Sequence, residues 1–187
     1  DCIGWNDPVQ MLDSSKVDVV YISTPIGVHY KQVKQALKSG KHVWCEKPLT
    51  CNYADTESLV MLAKKEKKML AEGFMYLYHS QFNKLLSYVN DKENGSIQSI
   101  ICRFGFPNLD EPGFRDNPEL CGGAFWDVAS YPVSAVLALF PNQYDQLLFS
   151  ELNNKKNSPV DTEGRAILRF SNNITAFLAL FDCNLPI

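Results

Sequence analysis

The strongest constraint on this chain is the segment Val17 to Ser23, reading VDVVYIS, which is β-branched and almost continuously apolar. Such a run suits a parallel strand covered on both faces rather than an alternating edge strand. Thr24-Pro25 ends it, and Val33, Ala36 and Leu37 then fall at i, i+3 and i+4, the spacing of one helical face, with Gly40 as a stop. Residues 42–45 (HVWC) form a second short strand closed by Pro48. A helix follows over about 53–67, with Leu59, Leu62 and Ala63 on one face, and Met69 to Met75 makes a third strand. Upstream, Asp7-Pro8 is an N-cap followed by proline at the first helical position, predicting a short helix over 8–14. Strand–helix–strand–helix–strand calls for crossover connections and a parallel sheet.

The pattern changes near residues 76–82. A helix is expected at 79–90, with Phe82, Leu85, Leu86 and Val89 as its apolar stripe, then a turn at Asn94-Gly95 and a long strand from Ile97 to Phe106. Residues 107–121 are rich in proline and read as loop. Gly122-Gly123 opens a helical run to about Phe140, disturbed at Pro132. A strand at 145–151 and a hairpin of Ala166–Phe170 with Ile174–Phe181, turned at Asn172-Asn173, complete the chain. The fold class expected is therefore α/β, a partial Rossmann-type parallel sheet, followed by an α+β domain with an open, mainly antiparallel sheet. The domains are expected at 1–76 and 77–187.

Composition excludes several roles. The net charge of −3 comes from 18 Lys and Arg against 21 Asp and Glu, without a basic stripe, which disfavours nucleic acid as a partner. The longest apolar stretch, Val133 to Phe140, is far short of the roughly 20 residues of a membrane span, and no export leader is visible. The run Lys64 to Lys68 reads as a solvated last turn that suits the helix dipole. The six cysteines are scattered, with no C-x-x-C pair and no Cys/His cluster, so reduced thiols, a cytoplasmic location and no metal site are expected.

Two loops lie at the carboxyl ends of the expected parallel strands, where open α/β sheets bind ligands. The first spans Ser23 to His29; the second is Glu46-Lys47-Pro48. Proline keeps the preceding residue out of helical geometry, so Lys47 projects from a strand end, either to donate a proton and orient a substrate oxygen or as a plain surface ion pair. In the second half, Asp127 and Tyr131 are four apart, so a helix sets them on one face. A carboxylate and a phenol there suit the handling of a substrate hydroxyl and its proton; a polar pair at a domain interface is the other reading. Gly122-Gly123 permits close backbone approach.

Taken in order, VDVVYISTP with His29, SGKHVWCEKPLT (39–50), FRDNPEL (114–120), GGAFWDVASYPVSAVLALF (122–140) and VDTEGRAILRFSNNITAFLALF (160–181) resemble the glucose-fructose oxidoreductase / inositol dehydrogenase (Gfo/Idh/MocA) family over nearly the whole chain. The resemblance implies a dinucleotide-binding domain, a sheet domain that binds substrate and forms homo-oligomers, and hydride transfer between NAD or NADP and a sugar, cyclitol or nucleotide sugar. It makes Lys47 the catalytic lysine of E-K-P, Asp127 the residue that orients substrate and Tyr131 the proton-transfer residue. Thr24, Pro25, His29, Glu46 and Lys47 would line the nicotinamide side of the cofactor. The family's G-x-G-x-x-G turn has no counterpart among the ten glycines, and Ile26 stands where the family often has Asn. The chain therefore reads as truncated at both ends relative to the family, with a non-catalytic scaffold or subunit as the alternative.

Overall fold

The computed structural model describes residues 3–107, 109 and 111–183. Two compact units divide the chain, Asp1–Gly73 and Phe74–Ile187.

In the first unit, β1 (Val19–Ile22), β2 (His42–Cys45) and β3 (Leu70–Glu72) form a parallel sheet in the order β1-β2-β3. Between them run α2 (Ile26–Lys38) and α3 (Tyr53–Glu66), while α1 (Pro8–Asp13) precedes β1. The N-cap signals work as their chemistry requires: Asp7 Oδ1 accepts the Val9 N–H at 2.9 Å, and Asn52 Oδ1 accepts that of Asp55. At the end of α2, Gly40 adopts φ +71°, which lets its N–H reach Leu37 O and the Lys41 N–H reach Ala36 O. Val20, Ile22, Val33, Leu37, Val43 and Leu59 make the core.

Two expectations fail locally. The first strand is not covered on both faces: its burial alternates, leaving Val19 at 58% and Tyr21 at 54% exposure, with Trp44 of β2 beside them at 49%. The described helices of this unit cover the Val20/Ile22 face, so the run is uniformly apolar although only half of it is buried. The third strand is three residues long, because from Met75 to Tyr78 the chain turns into a 3₁₀ helix.

In the second unit, β4 (Ser99–Pro107), β5 (Tyr144–Asn153), β6 (Glu163–Phe170) and β7 (Thr175–Cys183) form a sheet in the order β4-β7-β6-β5. The β4–β7 pair is parallel and the other two antiparallel. The β6–β7 hairpin turns through Ser171–Asn173, with Asn173 at φ +59°. One sheet face carries α4 (Ser80–Asn90) and α5 (Ser130–Leu139): Phe82, Val136 and Leu139 pack on Leu168, Phe170, Ala176 and Leu178.

The helical run after Gly122-Gly123 is irregular just before the proline. Phe125–Ala129 is a π-helical turn that passes into α5. Pro132 has no N–H for the carbonyl of Val128, and its ring crowds the preceding turn, so the helix widens upstream instead of breaking.

Of the cysteines, Cys45 and Cys102 are free thiols. Cys51 and Cys121 are each disulfide-bonded, contrary to the expectation of reduced thiols throughout; a lone cysteine outside any local motif carries no sequence signal of bonding. Cys2 lies outside the described residues.

Candidate active site

In the first unit, the candidate residues gather at the carboxyl ends of β1 and β2. The Glu46 N–H donates to Ile22 O at 2.8 Å and the Gly73 N–H to Cys45 O at 2.8 Å, so all three strand ends converge under the Glu46-Lys47-Pro48 turn. A Cβ on Gly73 would sit about 3.3 Å from both Cys45 O and Glu46 Oε1, closer than most side chains pack, so the glycine eases this approach. The Lys47–Pro48 peptide is cis and Lys47 is half-buried. Thr24 is exposed, and its hydroxyl donates to Gln32 Oε1 at 2.6 Å. Pro25 precedes α2, whose N-terminus has no side-chain cap; the Val28 N–H turns back to donate to Pro25 O at 3.1 Å. Ile26, at 4% exposure, is packed in the interior.

His29 is buried at 1% exposure. Its Nε2 lies 2.8 Å from Thr24 O and its Nδ1 3.0 Å from Pro48 O. The ring thus spans the two candidate loops from beneath. Glu46 accepts the Tyr21 hydroxyl at 2.6 Å, and this carboxylate raises the pKa of Tyr21. Glu72, which sequence reasoning passed over, accepts the Leu49 N–H at 2.7 Å. Burial pushes its carboxyl pKa up, against the lowering pull of that N–H, His29 and Lys47. Burial also pushes the Cys45 thiol up to about 12, so it stays a neutral, inert group.

In the second unit, Asp127 lies in the π-turn at 9% exposure, and Arg115 Nε donates to its Oδ2 at 2.7 Å. Arg115, in the FRDNPEL segment, is a functional candidate that spacing alone does not reveal. Its guanidinium stacks on Phe114 and Phe106, 4.7 Å and 5.8 Å from the ring centroids. The Gly123 N–H donates to Arg115 O at 2.8 Å, and a Cβ on Gly122 would strike the Arg115 carbonyl. The glycine pair therefore serves close packing of the 113–121 segment on the start of the helix. Asp161 Oδ2 accepts the Phe125 N–H at 2.6 Å and its carbonyl accepts that of Ala124 at 2.9 Å. Asp127 and Arg115 line a cavity of about 280 Å³, together with Asp161, Ser158 and Lys156. Tyr131, one turn on, sits among aromatic rings: Phe104 at 4.6 Å, Tyr76 at 6.0 Å and Phe74 at 6.5 Å between centroids. The structure thus groups Thr24, Pro25, His29, Glu46 and Lys47 in one unit, and Asp127 with Tyr131 in the other. Among the described residues no three His, Cys, Asp or Glu side chains are grouped to hold a metal ion, and no helix is long and apolar enough to cross a membrane.

A Rossmann-type half with a loaded strand-end turn, followed by a sheet half with a carboxylate–phenol helix, defines a two-unit protein of the dinucleotide-binding class. Residues 1–74 match the family model described as oxidoreductase family, NAD-binding Rossmann fold, and residues 82–184 match the GFO/IDH/MocA C-terminal domain. The chain belongs to the Gfo/Idh/MocA family. Among its relatives is the dTDP-3,4-didehydro-2,6-dideoxy-alpha-D-glucose 3-reductase of Saccharopolyspora spinosa, 30% identical over 90% of this chain and 51% of the relative. Another is D-xylose 1-dehydrogenase (NADP(+)) 2 of Haloferax volcanii, 32% identical over 89% of this chain and 50% of the relative. Among solved structures, a 3-ketoreductase from Actinomadura kijaniata in complex with NADP and TDP-benzene superposes with a TM-score of 0.88 at 28% identity, over 95% of this chain and 55% of that one. That reductase has also been solved with a lysine-to-alanine and with a tyrosine-to-phenylalanine substitution. The chain spans about half the length of the relatives it matches.

Proposed function

We propose that this chain carries the catalytic centre of an NAD(P)-dependent oxidoreductase that transfers hydride to or from a carbon bearing oxygen on a sugar-like substrate, with a nucleotide sugar as the favoured class. Residues 1–76 would form the cofactor-side domain and 77–187 the substrate-side domain. The observation that carries the reading is the E-K-P turn anchored over three strand ends, in a chain whose two halves both match this family.

The residues present fit the nicotinamide end of such a cofactor: an uncapped helix start, Thr24 and a half-buried Lys47 occupy the sheet's carboxyl edge. The bound nicotinamide supplies the hydride, and the protein supplies position and the proton. Tyr131 would pass the proton to the substrate oxygen, and Lys47 would hold that oxygen and ease the transfer. Asp127, fixed by Arg115, would accept a hydrogen bond from a neighbouring substrate hydroxyl. The ring cluster around Tyr131 limits water near the phenol. The 3-reductase and 3-ketoreductase relatives favour a keto sugar carried on a nucleotide.

The outer sheet face supports a homo-oligomer as the assembly. Register places Ile101, Phe177, Ile167 and Phe149 in one row across four strands, with Ile101 at 66% exposure.

The test is turnover of NADPH or NADH with a dTDP-linked 3-keto sugar, followed by loss of nicotinamide absorbance. Lys47→Met and Tyr131→Phe are each expected to lower turnover at least about tenfold, since positioned proton transfer is worth roughly 10²–10⁴-fold. Unchanged kinetics in both variants would overturn the assignment. Absence of any NAD(P) binding would favour a scaffold role instead.

A further inference from the structure

The least ordinary group in the first unit is His29. Its ring is buried, and both nitrogens lie at hydrogen-bond distance from backbone carbonyls, Thr24 O at 2.8 Å and Pro48 O at 3.0 Å. Carbonyls only accept. A neutral imidazole has one N–H and one lone pair, so it serves one of these carbonyls and turns a lone pair on the other. A ring protonated at both nitrogens serves both.

Burial works against a charged ring at 1% exposure, so an acidic neighbour has to offset it. From β3, the carboxyl of Glu72 acts on His29 electrostatically while it accepts the Leu49 N–H at 2.7 Å. Lys47, on the turn after β2, acts on that same carboxyl. Cys45, at the end of β2, is a neutral thiol, and Glu46 is engaged by the Tyr21 hydroxyl. On α2 itself, Lys34 donates to the Tyr30 hydroxyl, which also meets Ser58 of α3. Glu72 is the acidic group coupled electrostatically to this ring, and when ionised it would offset the cost of burying an imidazolium.

We propose that His29 is a positioning residue that donates from both ring nitrogens, as an imidazolium, and so ties the loop carrying Thr24 to the turn carrying Lys47. The tie acts on Lys47 through its neighbour Pro48, and Glu72 completes it by holding the N–H of Leu49. Lys47 is thereby gripped on the two residues that follow it, by a cation on a carbonyl and by a carboxylate on an amide. The turn is thereby fixed relative to the cofactor-side loop through its backbone. The functional consequence rests on the reading of Lys47 given above; the protonation state of the ring does not.

Two measurements test it. In protein labelled with ¹⁵N-histidine at neutral pH, both ring nitrogens of His29 should carry slowly exchanging protons; one protonated and one bare nitrogen would overturn the proposal whether or not the protein turns over substrate. In His29→Gly, turnover should fall roughly 10- to 100-fold with KM little changed, the size expected from a slightly misplaced catalytic group. Added imidazole should restore it, and 1-methylimidazole, which offers at most one N–H, should not. Equal rescue by the two compounds would refute the double donation. Should the glycine variant fail to fold, the ring spectrum of the unaltered protein decides. Two protonated nitrogens in a protein without activity would uphold the tie and leave only the oxidoreductase reading in error.

Discussion

Gly123→Ala is the most exacting probe of how the helix bearing Asp127 is held. Gly123 has φ +107°, a region that an alanine enters at a cost of about 1–3 kcal/mol. The added methyl would also strike the Asp161 carboxylate, the group that accepts the Phe125 N–H at 2.6 Å. Displacing it forfeits a charge-assisted hydrogen bond worth about 1.5–3 kcal/mol. The sum, about 2.5–6 kcal/mol, is a large share of the 5–15 kcal/mol typical of a whole domain. Urea unfolding followed by circular dichroism measures it. The companion is Gly123→Ala combined with Asp161→Ala: with the clashing carboxylate gone, the pair should cost clearly less than the sum of the two single changes. A single-variant loss under about 1 kcal/mol, or strict additivity in the double variant, would refute the reasoning.

Other changes read different parts of the molecule. The Cys45 thiol keeps its proton to about 12 in the folded state against 9.0 for an ordinary cysteine, so between those values the unfolded chain binds fewer protons. Stability should fall as pH rises through that window, by up to about 1.4 kcal/mol per pH unit, and Cys45→Ala should flatten the fall in alkaline denaturation curves. Phe170→Ala, at a site 1% exposed with Phe140 and Tyr144 against its ring, should cost about 3–5 kcal/mol in the same urea assay. Arg115→Gln removes the ion-pair partner of a carboxylate that is 9% exposed; it should cost about 1–2 kcal/mol and lower turnover more than it changes cofactor binding, as steady-state kinetics and NADPH titration would show.

The architecture was legible because period and punctuation agree along this chain. The helix start at Asp7-Pro8, the stop at Gly40 and the strand at 42–45 rest on local chemistry that tertiary packing had no reason to override. The uncovered face of β1 was not legible, since Val19 and Tyr21 are as β-branched or aromatic as their buried neighbours, and hydropathy does not say which neighbour covers them. The π-turn escaped for a related reason: Pro132 signalled a disturbance, but where a helix absorbs it depends on the glycines and Asp161 that pin its start. The partners that hold the candidate residues were the hardest to see. Arg115 lies 12 residues from Asp127, and Glu72 lies 23 from Leu49, separations with no periodicity to betray them.

The wide turn at Phe125–Ala129 has a further consequence for how this helix tolerates change in length. Successive residues of a regular helix step round the axis by about 100°, so losing one residue between Asp127 and Ser130 would tighten the turn and swing everything upstream through about that angle. Asp127 would leave the cavity wall it shares with Arg115, while Tyr131 kept its place among Phe104 and Tyr76. A single extra residue therefore sets the angular phase between carboxylate and phenol, and that phase can be retuned by chain length without altering either side chain.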